Sequence, residues 1–342
     1  MNETKTPMRN LFFFLFLIVF AFTTPLSAQY TDMLNANRPG GSQGAFSVGT
    51  NVLQLESGLS LGNEEHRLLF TDANTFSWDY AVRYGFLKEE LEVSLMGSFQ
   101  SNKVTDTRGA NNFERKFANF KSNTLGAKYL LYDPYRNREA KGPNLYSWKA
   151  NNRIQWSDLI PAISVYAGVN LDITEDNPFT PEAEKSISPK FVVSTQNNFL
   201  GGFVFVTNLI VNRVTTDTPE YGYILTLTHA TNRYFSIFLE NQGIKSDFYA
   251  DQLLRGGVAV LINKDLQIDL SGTINFKDTP SLWRARLGVA YRFDMHREDE
   301  FIEEKGKSGR EKRRRYKEQK KEKNERNKRK DGWESDEDGS QM

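Results

Sequence analysis

Few residues in this chain could perform covalent or metal chemistry. Its three histidines are His66, His229 and His296, and it has no cysteine. Thiolate nucleophiles, thiolate metal sites and disulfides are thereby excluded. A serine hydrolase needs a serine within hydrogen-bond reach of a histidine, and no local motif supplies one, so each histidine reads as a surface residue. Asp172, Glu175 and Asp176 could offer calcium its oxygen ligands, but without the spacing of a dedicated loop. A solvated loop is the simpler reading there. No glycine loop of the phosphate-cradling kind occurs. The expectation is a protein that is not an enzyme and carries no cofactor and no metal. Lys and Arg total 44 against 43 Asp and Glu, a net charge of +1, so no global field points to nucleic acid. What remains is a set of charges within otherwise apolar stretches: Glu56, Asp79, Arg83, Glu92, Lys128, Asp269, Arg284, Arg286 and Arg292.

Period-two alternation shows what positions them. Phe76, Trp78, Tyr80, Val82, Tyr84 and Phe86 alternate with Ser77, Asp79, Ala81, Arg83 and Gly85, the pattern of a strand with one apolar face. Leu91, Val93, Leu95 and Phe99 repeat it, as do Leu266, Ile268, Leu270, Ile274 and Phe276. Trp283, Ala285, Leu287, Val289, Tyr291 and Phe293 oppose Arg284, Arg286 and Arg292. Aromatic residues sit at both ends of these faces, where a membrane barrel carries its girdles. Past the N-terminus no apolar run reaches the ~18 residues of a spanning helix. A transmembrane antiparallel β-barrel is the expected fold, closed because an open edge in lipid leaves backbone groups unsatisfied. An Arg or Lys facing lipid at mid-membrane costs about 2–4 kcal/mol, so register sends the charged set into the lumen. Two readings of that lumen stay open. The charges pair and fill a small barrel, or they line a polar passage that the three arginines of the last strand bias toward anions.

Thirteen stretches alternate: 52–61, 75–86, 90–100, 122–132, 145–156, 161–172, 189–199, 203–213, 221–231, 234–241, 252–263, 265–276 and 282–293. Bacterial single-chain barrels have even strand numbers and short periplasmic turns. Removing 145–156 makes 62–74, 101–121, 173–188, 214–220 and 242–251 external loops and the turns near 201, 232 and 264 periplasmic. The expectation is about twelve strands, with 133–160 as a periplasmic insertion.

The ends differ in composition. Lys5 and Arg9 precede an apolar run at 11–22, and Ala28 offers a cleavage site, so 1–28 reads as an export signal. Residues 29–51 are expected to be a periplasmic segment before the 52–293 barrel. Beyond it, 294–304 carry a net charge of −5, 305–330 carry +11 and 331–342 carry −5. Such a tail cannot bury a core and reads as disordered or as a solvated helix. Lys312, Arg313, Arg314, Arg315, Lys320 and Lys321 are its candidates for contact with a periplasmic anionic polymer or envelope protein.

Several stretches resemble a known family. Asn37-Arg38-Pro39-Gly40 followed by Val52-Leu53-Gln54-Leu55-Glu56-Ser57-Gly58 is similar to the opening of the outer-membrane proteins named for the MetA pathway of phenol degradation. Tyr80-Ala81-Val82-Arg83-Tyr84-Gly85 with Leu91-Glu92-Val93 resembles that family's second hairpin, and Leu125-Gly126-Ala127-Lys128-Tyr129 with 161–170 its next two strands. The resemblance covers 37–293 and implies a barrel-forming, transporter-like protein of the Gram-negative outer membrane, from a Bacteroidota-type source. It supplies no catalytic residues. Two functions follow as expectations: a porin-like channel passing small solutes through a polar lumen, or a non-transporting barrel whose tail and insertion dock envelope partners. Outer-membrane lipid is a partner in both.

Overall fold

A computed structural model of the chain describes residues 34–109, 112–136, 146, 159–172, 174, 177–180, 187–199, 201–247, 249–296 and 318. The expected signal at 1–28, most of the 133–160 insertion and the six tail candidates lie outside these residues. Twelve strands close one antiparallel barrel: β1 (Val52–His66), β2 (Thr71–Gly85), β3 (Leu91–Asp106), β4 (Phe113–Tyr132), β5 (Ala162–Leu171), β6 (Ile187–Phe199), β7 (Phe203–Asn212), β8 (Glu220–Ala230), β9 (Phe235–Lys245), β10 (Ala250–Asn263), β11 (Leu266–Asn275) and β12 (Ser281–Asp294). Each pairs with its sequence neighbours, and β1 closes on β12 from Val52↔Asp294 to Glu65↔Ser281. β4 pairs directly with β5, so no strand enters the ring between Tyr132 and Ala162.

The two rims differ. One carries the chain end at Val52, the end at Asp294 and the turns 86–90, 200–202, 231–234 and 264–265, together with the 133–161 connection. Gly201 and Gly202 turn the β6–β7 connection with φ of +82° and +77°, a conformation that a β-carbon would strain. The opposite rim carries 67–70, 107–112, 172–186, 213–219, 246–249 and 276–280. Two expected loops are much shorter than the alternation suggests. β1 and β2 stay paired out to His66↔Thr71, and β3 and β4 out to Asp106↔Phe113. Past the hydrocarbon both faces of a hairpin meet water, so the apolar alternation fades while the backbone ladder continues.

Alternation sorts the wall. Leu59, Leu239, Leu270 and Leu287 are each half exposed on the outer face, and a continuous apolar belt of this kind is stable only in lipid. Phe76, Trp78 and Val82 lie on it, while Ser77 and Arg83, in the opposite register, are buried in the interior. The outer face also carries two polar contacts. Tyr80 lies over Gly97 and its hydroxyl donates to Asn123 Oδ1. Tyr223 lies over Gly243 and donates to Asn241 Oδ1 at 3.1 Å. Each keeps an amide in lipid from going unsatisfied.

Candidate functional site: the charged lumen

Near the rim that carries both chain ends, the lumen is occupied by the chain's own residues 35–48. This corrects the expectation that 29–51 are periplasmic: the part described from Leu34 onward runs inside the ring. It has no regular structure, so its backbone groups need partners from the wall, and inward side chains provide them. The Asn37 amide donates to Glu56 Oε1 at 3.2 Å, and Arg83 Nη1 and Gln54 Nε2 reach the Asn35 carbonyl. Arg38 crosses to β11, where Nε and Nη2 each lie 3.1 Å from Asp269. The Gly41 amide lies 2.9 Å from Glu240 Oε2, and the Ser42 amide joins it. Gln43 exchanges two hydrogen bonds with Asn208, of 2.6 and 2.8 Å. The Ala45 amide donates to Gln196, Lys128 Nζ binds the Gly44 and Phe46 carbonyls, and the Val48 amide donates to Glu92. In order, the segment visits β1–β2, β11, β9, β7, β6, β4 and β3, almost one circuit of the inner wall.

The charges at this level are matched. Arg83, fully buried, binds Glu92 through Nε and Nη2 at 2.8 and 2.9 Å and Glu56 through Nη1 at 2.9 Å. Lys128 stands 3.4 Å from Glu92. Two acids and two bases therefore share one buried network. Arg38 with Asp269 and Arg255 with Glu240 form two further pairs. Gly58 and Gly288 make room for Arg38, because a β-carbon at either position would overlap its guanidinium group. Arg292 lies at the rim, with Asp265 at 3.7 Å and Asp294 at 3.8 Å.

Above the segment the lumen is different. A cavity of about 260 Å³ has Arg38, Gly41 and Gln43 as part of its floor, and Asp79, Lys190 and Arg286 in its walls. Arg286 and Asp79 are 3.3 Å apart and both partly exposed to the cavity. A second cavity, of about 70 Å³, lies between β4, β5, β6 and β7 and contains Lys121, Lys190 and Arg213. Arg284 is inward on β12, near enough to Lys121 for the two positive charges to repel. All nine charged candidates from the sequence thus stand on the interior face. The structure gathers Glu56, Arg83, Glu92 and Lys128 into one cluster, sets Asp269 on the inserted segment and leaves Asp79, Arg284 and Arg286 above it.

Sequence reasoning missed Glu240, Arg255, Lys121 and Lys190. Glu240 lies within the expected strand 234–241, in register with Phe238, and the same lipid-cost rule turns it inward. Lys121 follows a register shift in the β3–β4 ladder, where Ser98 faces Ser122 and Phe99 faces Phe120. No alternation rule anticipates it. His66 and His229 join none of these clusters. The His66 Nδ1 accepts from the Leu69 amide in the β1–β2 turn, and His229 stacks on Phe203 at 4.2 Å on the outer face. Asp172 is engaged by Asn177 and Thr180. Among the described residues no group of acids and histidines has the geometry of a metal site.

The chain is similar in structure to the COG4313 outer membrane channel from Pseudomonas putida F1, with 10% identity and a TM-score of 0.48, over 76% of this chain and all of that one. A porin, KdgM, matches over 70% of this chain and 99% of its own, with 10% identity and a TM-score of 0.40. The CymD monoaromatic hydrocarbon channel matches over 72% and 90%, with 9% identity and a TM-score of 0.38. No curated protein matches the chain in sequence. The family described as "Putative MetA-pathway of phenol degradation" matches residues 36–293, from the inserted segment through the last strand, and the chain belongs to it.

Proposed function

We propose that this protein is an outer-membrane channel for small polar solutes, constricted at its periplasmic end by its own residues 35–48. The observation that carries the reading is the division of the lumen. A water-accessible cavity of about 260 Å³ opens above a floor made by that segment. A segment held through its backbone by wall side chains can be displaced without unmaking the barrel, because the barrel's own ladders do not use those side chains. The cavity's lining of charges and amides suits polar solutes better than hydrocarbon. In this reading the rim with short turns and both chain ends faces the periplasm.

A second reading is favoured by the same floor. A lumen filled by the chain itself suits a barrel that docks partners instead of passing solutes, and the +11 charge of 305–330 would reach an anionic envelope polymer from the periplasmic side. Planar-bilayer recording separates the two. A channel should give small, discrete conductance steps from the wild-type chain and larger ones from Glu240→Gln, which weakens the grip on Gly41 and Ser42. A silent wild type and a silent Glu240→Gln, both folded by heat-modifiable mobility, would favour the docking barrel.

A further inference from the structure

The smaller cavity has a chemistry that the channel reading does not use. Its two lysines come from different strands: Lys121 from β4 and Lys190 from β6. Neither ammonium group makes an ion pair or a hydrogen bond among the described residues, whereas Arg83, Lys128, Arg255 and Arg286 in the same lumen all have a carboxylate within 4 Å. Nearby acids are already engaged. Asp172 accepts from Asn177 and Thr180, and Glu220 from Asn212 at 3.4 Å. The amides beside the lysines are tied to one another: Thr124 donates to Asn170 at 2.7 Å, and Asn170 to Asn212 at 2.6 Å. The cavity thus has a wall of mutually bonded amides, one carboxylate, Asp172, already held by Asn177 and Thr180, and two lysines that make no ion pair among the described residues.

The backbone is built to create this arrangement. At the β3–β4 register shift Lys121 is the extra residue, without a partner across the ladder. Bulges of this kind bend a strand and re-aim a side chain, and they recur beside functional sites. Both ammonium groups remain accessible from the lumen, and a small anion there would gain charge-assisted hydrogen bonds from the two together. The volume, about 70 Å³, is several times that of one water probe and fits a compact oxyanion. Lys190 also lines the larger cavity, so an anion held here borders the solute space directly.

We propose that Lys121 and Lys190 form a binding site for a small oxyanion, the carboxylate or phosphate group of a solute. Its place in solute passage rests on the channel reading, but binding itself does not. The test is titration calorimetry on the folded, detergent-solubilised chain in chloride-free buffer, with inorganic phosphate and with acetate as separate probes. The wild type should take up at least one of them saturably, and the stronger of the two identifies the group preferred. Lys121→Gln and Lys190→Gln should each weaken binding about tenfold, the scale of one charge-assisted hydrogen bond. Lys190→Arg, which keeps the charge, should restore most of the affinity and so separates lost binding from lost fold. No saturable uptake of either probe, or unchanged affinity in either glutamine variant, overturns the proposal. Binding that persists in a barrel without conductance would defeat the channel reading and leave this site standing.

Discussion

The lumen has two halves that share a wall and differ in how their charges are used. Toward the chain ends, Glu56, Arg83, Glu92, Lys128, Asp269, Glu240 and Arg255 are buried and matched, and their remaining bonding capacity goes to the backbone of 35–48. Toward the long-loop rim, Lys121 and Lys190 make no ion pair among the described residues, and Arg286 and Asp79 form one partly exposed pair. Both halves meet the same rule, that a strand charge in a membrane barrel must face inward. The difference is what they face once inside. A lumen charge bonded to chain is architecture, and one facing open space is available to a solute.

The largest effect should come from breaking the matched half. Arg83→Met leaves Glu56 and Glu92 buried with Lys128 as the one cation near them among the described residues. Removing one partner of a buried ion pair costs about 3–5 kcal/mol, so the urea midpoint of barrel unfolding should fall strongly. A midpoint within error of wild type would mean that the network contributes little. A smaller effect is expected from Gly288→Val, whose side chain would occupy the space of the Arg38 guanidinium. Loss of the Arg38–Asp269 contact is worth about 1.5–3 kcal/mol, and it should appear as faster proteolysis of the N-terminal segment with the barrel intact. Unchanged proteolysis would show that Arg38 does not hold the segment.

How legible this division was depends on what each residue bonds. β2 and β12 were plain in sequence, because six apolar side chains in strict alternation have one arrangement that keeps Asp79, Arg83 and the three arginines out of lipid. The first half of β4 was not, because Phe113–Ser122 runs beyond the hydrocarbon and contains the extra residue Lys121. The segment 35–48 was hidden for a different reason. It is held through peptide groups, which every residue possesses, so no side-chain pattern marks it. Its one charged anchor, Arg38, lies 231 residues from Asp269. The inward direction of the nine charges could be read from register, but not which of them pair.

The open half can be sharpened as well. Asp79→Asn would release Arg286 from its ion-pair partner at 3.3 Å. Because that pair is partly exposed, the change should be modest. Anion preference, read as the reversal potential in a salt gradient, should rise about twofold to fivefold. A shift toward cations would contradict the assignment of these groups to the solute path. The smallest effect on the barrel should follow deletion beyond His296. The cut belongs there and not at Phe293, since Asp294 ends β12 and the Met295 amide donates to the Asn51 carbonyl at 3.1 Å. Heat-modifiable mobility should be unchanged. Co-sedimentation with cell-wall sacculi should drop at low salt and match the full chain at high salt, where exposed charges beyond about 8 Å are screened. Equal co-sedimentation at low salt would remove the tail from the account.

The most direct test of the divided lumen uses the absence of natural cysteine. The Gln43 backbone amide and carbonyl are both bonded to the Asn208 side chain across the constriction, so in a Gln43→Cys/Asn208→Cys chain a short bifunctional methanethiosulfonate should bridge the two thiols in the folded barrel. Planar-bilayer conductance should then be lowest in the bridged protein and rise when the bridge is reduced. A double variant that cannot be bridged while folded, with both thiols open to a membrane-impermeant reagent, would place residues 35–48 outside the lumen and contradict this assignment.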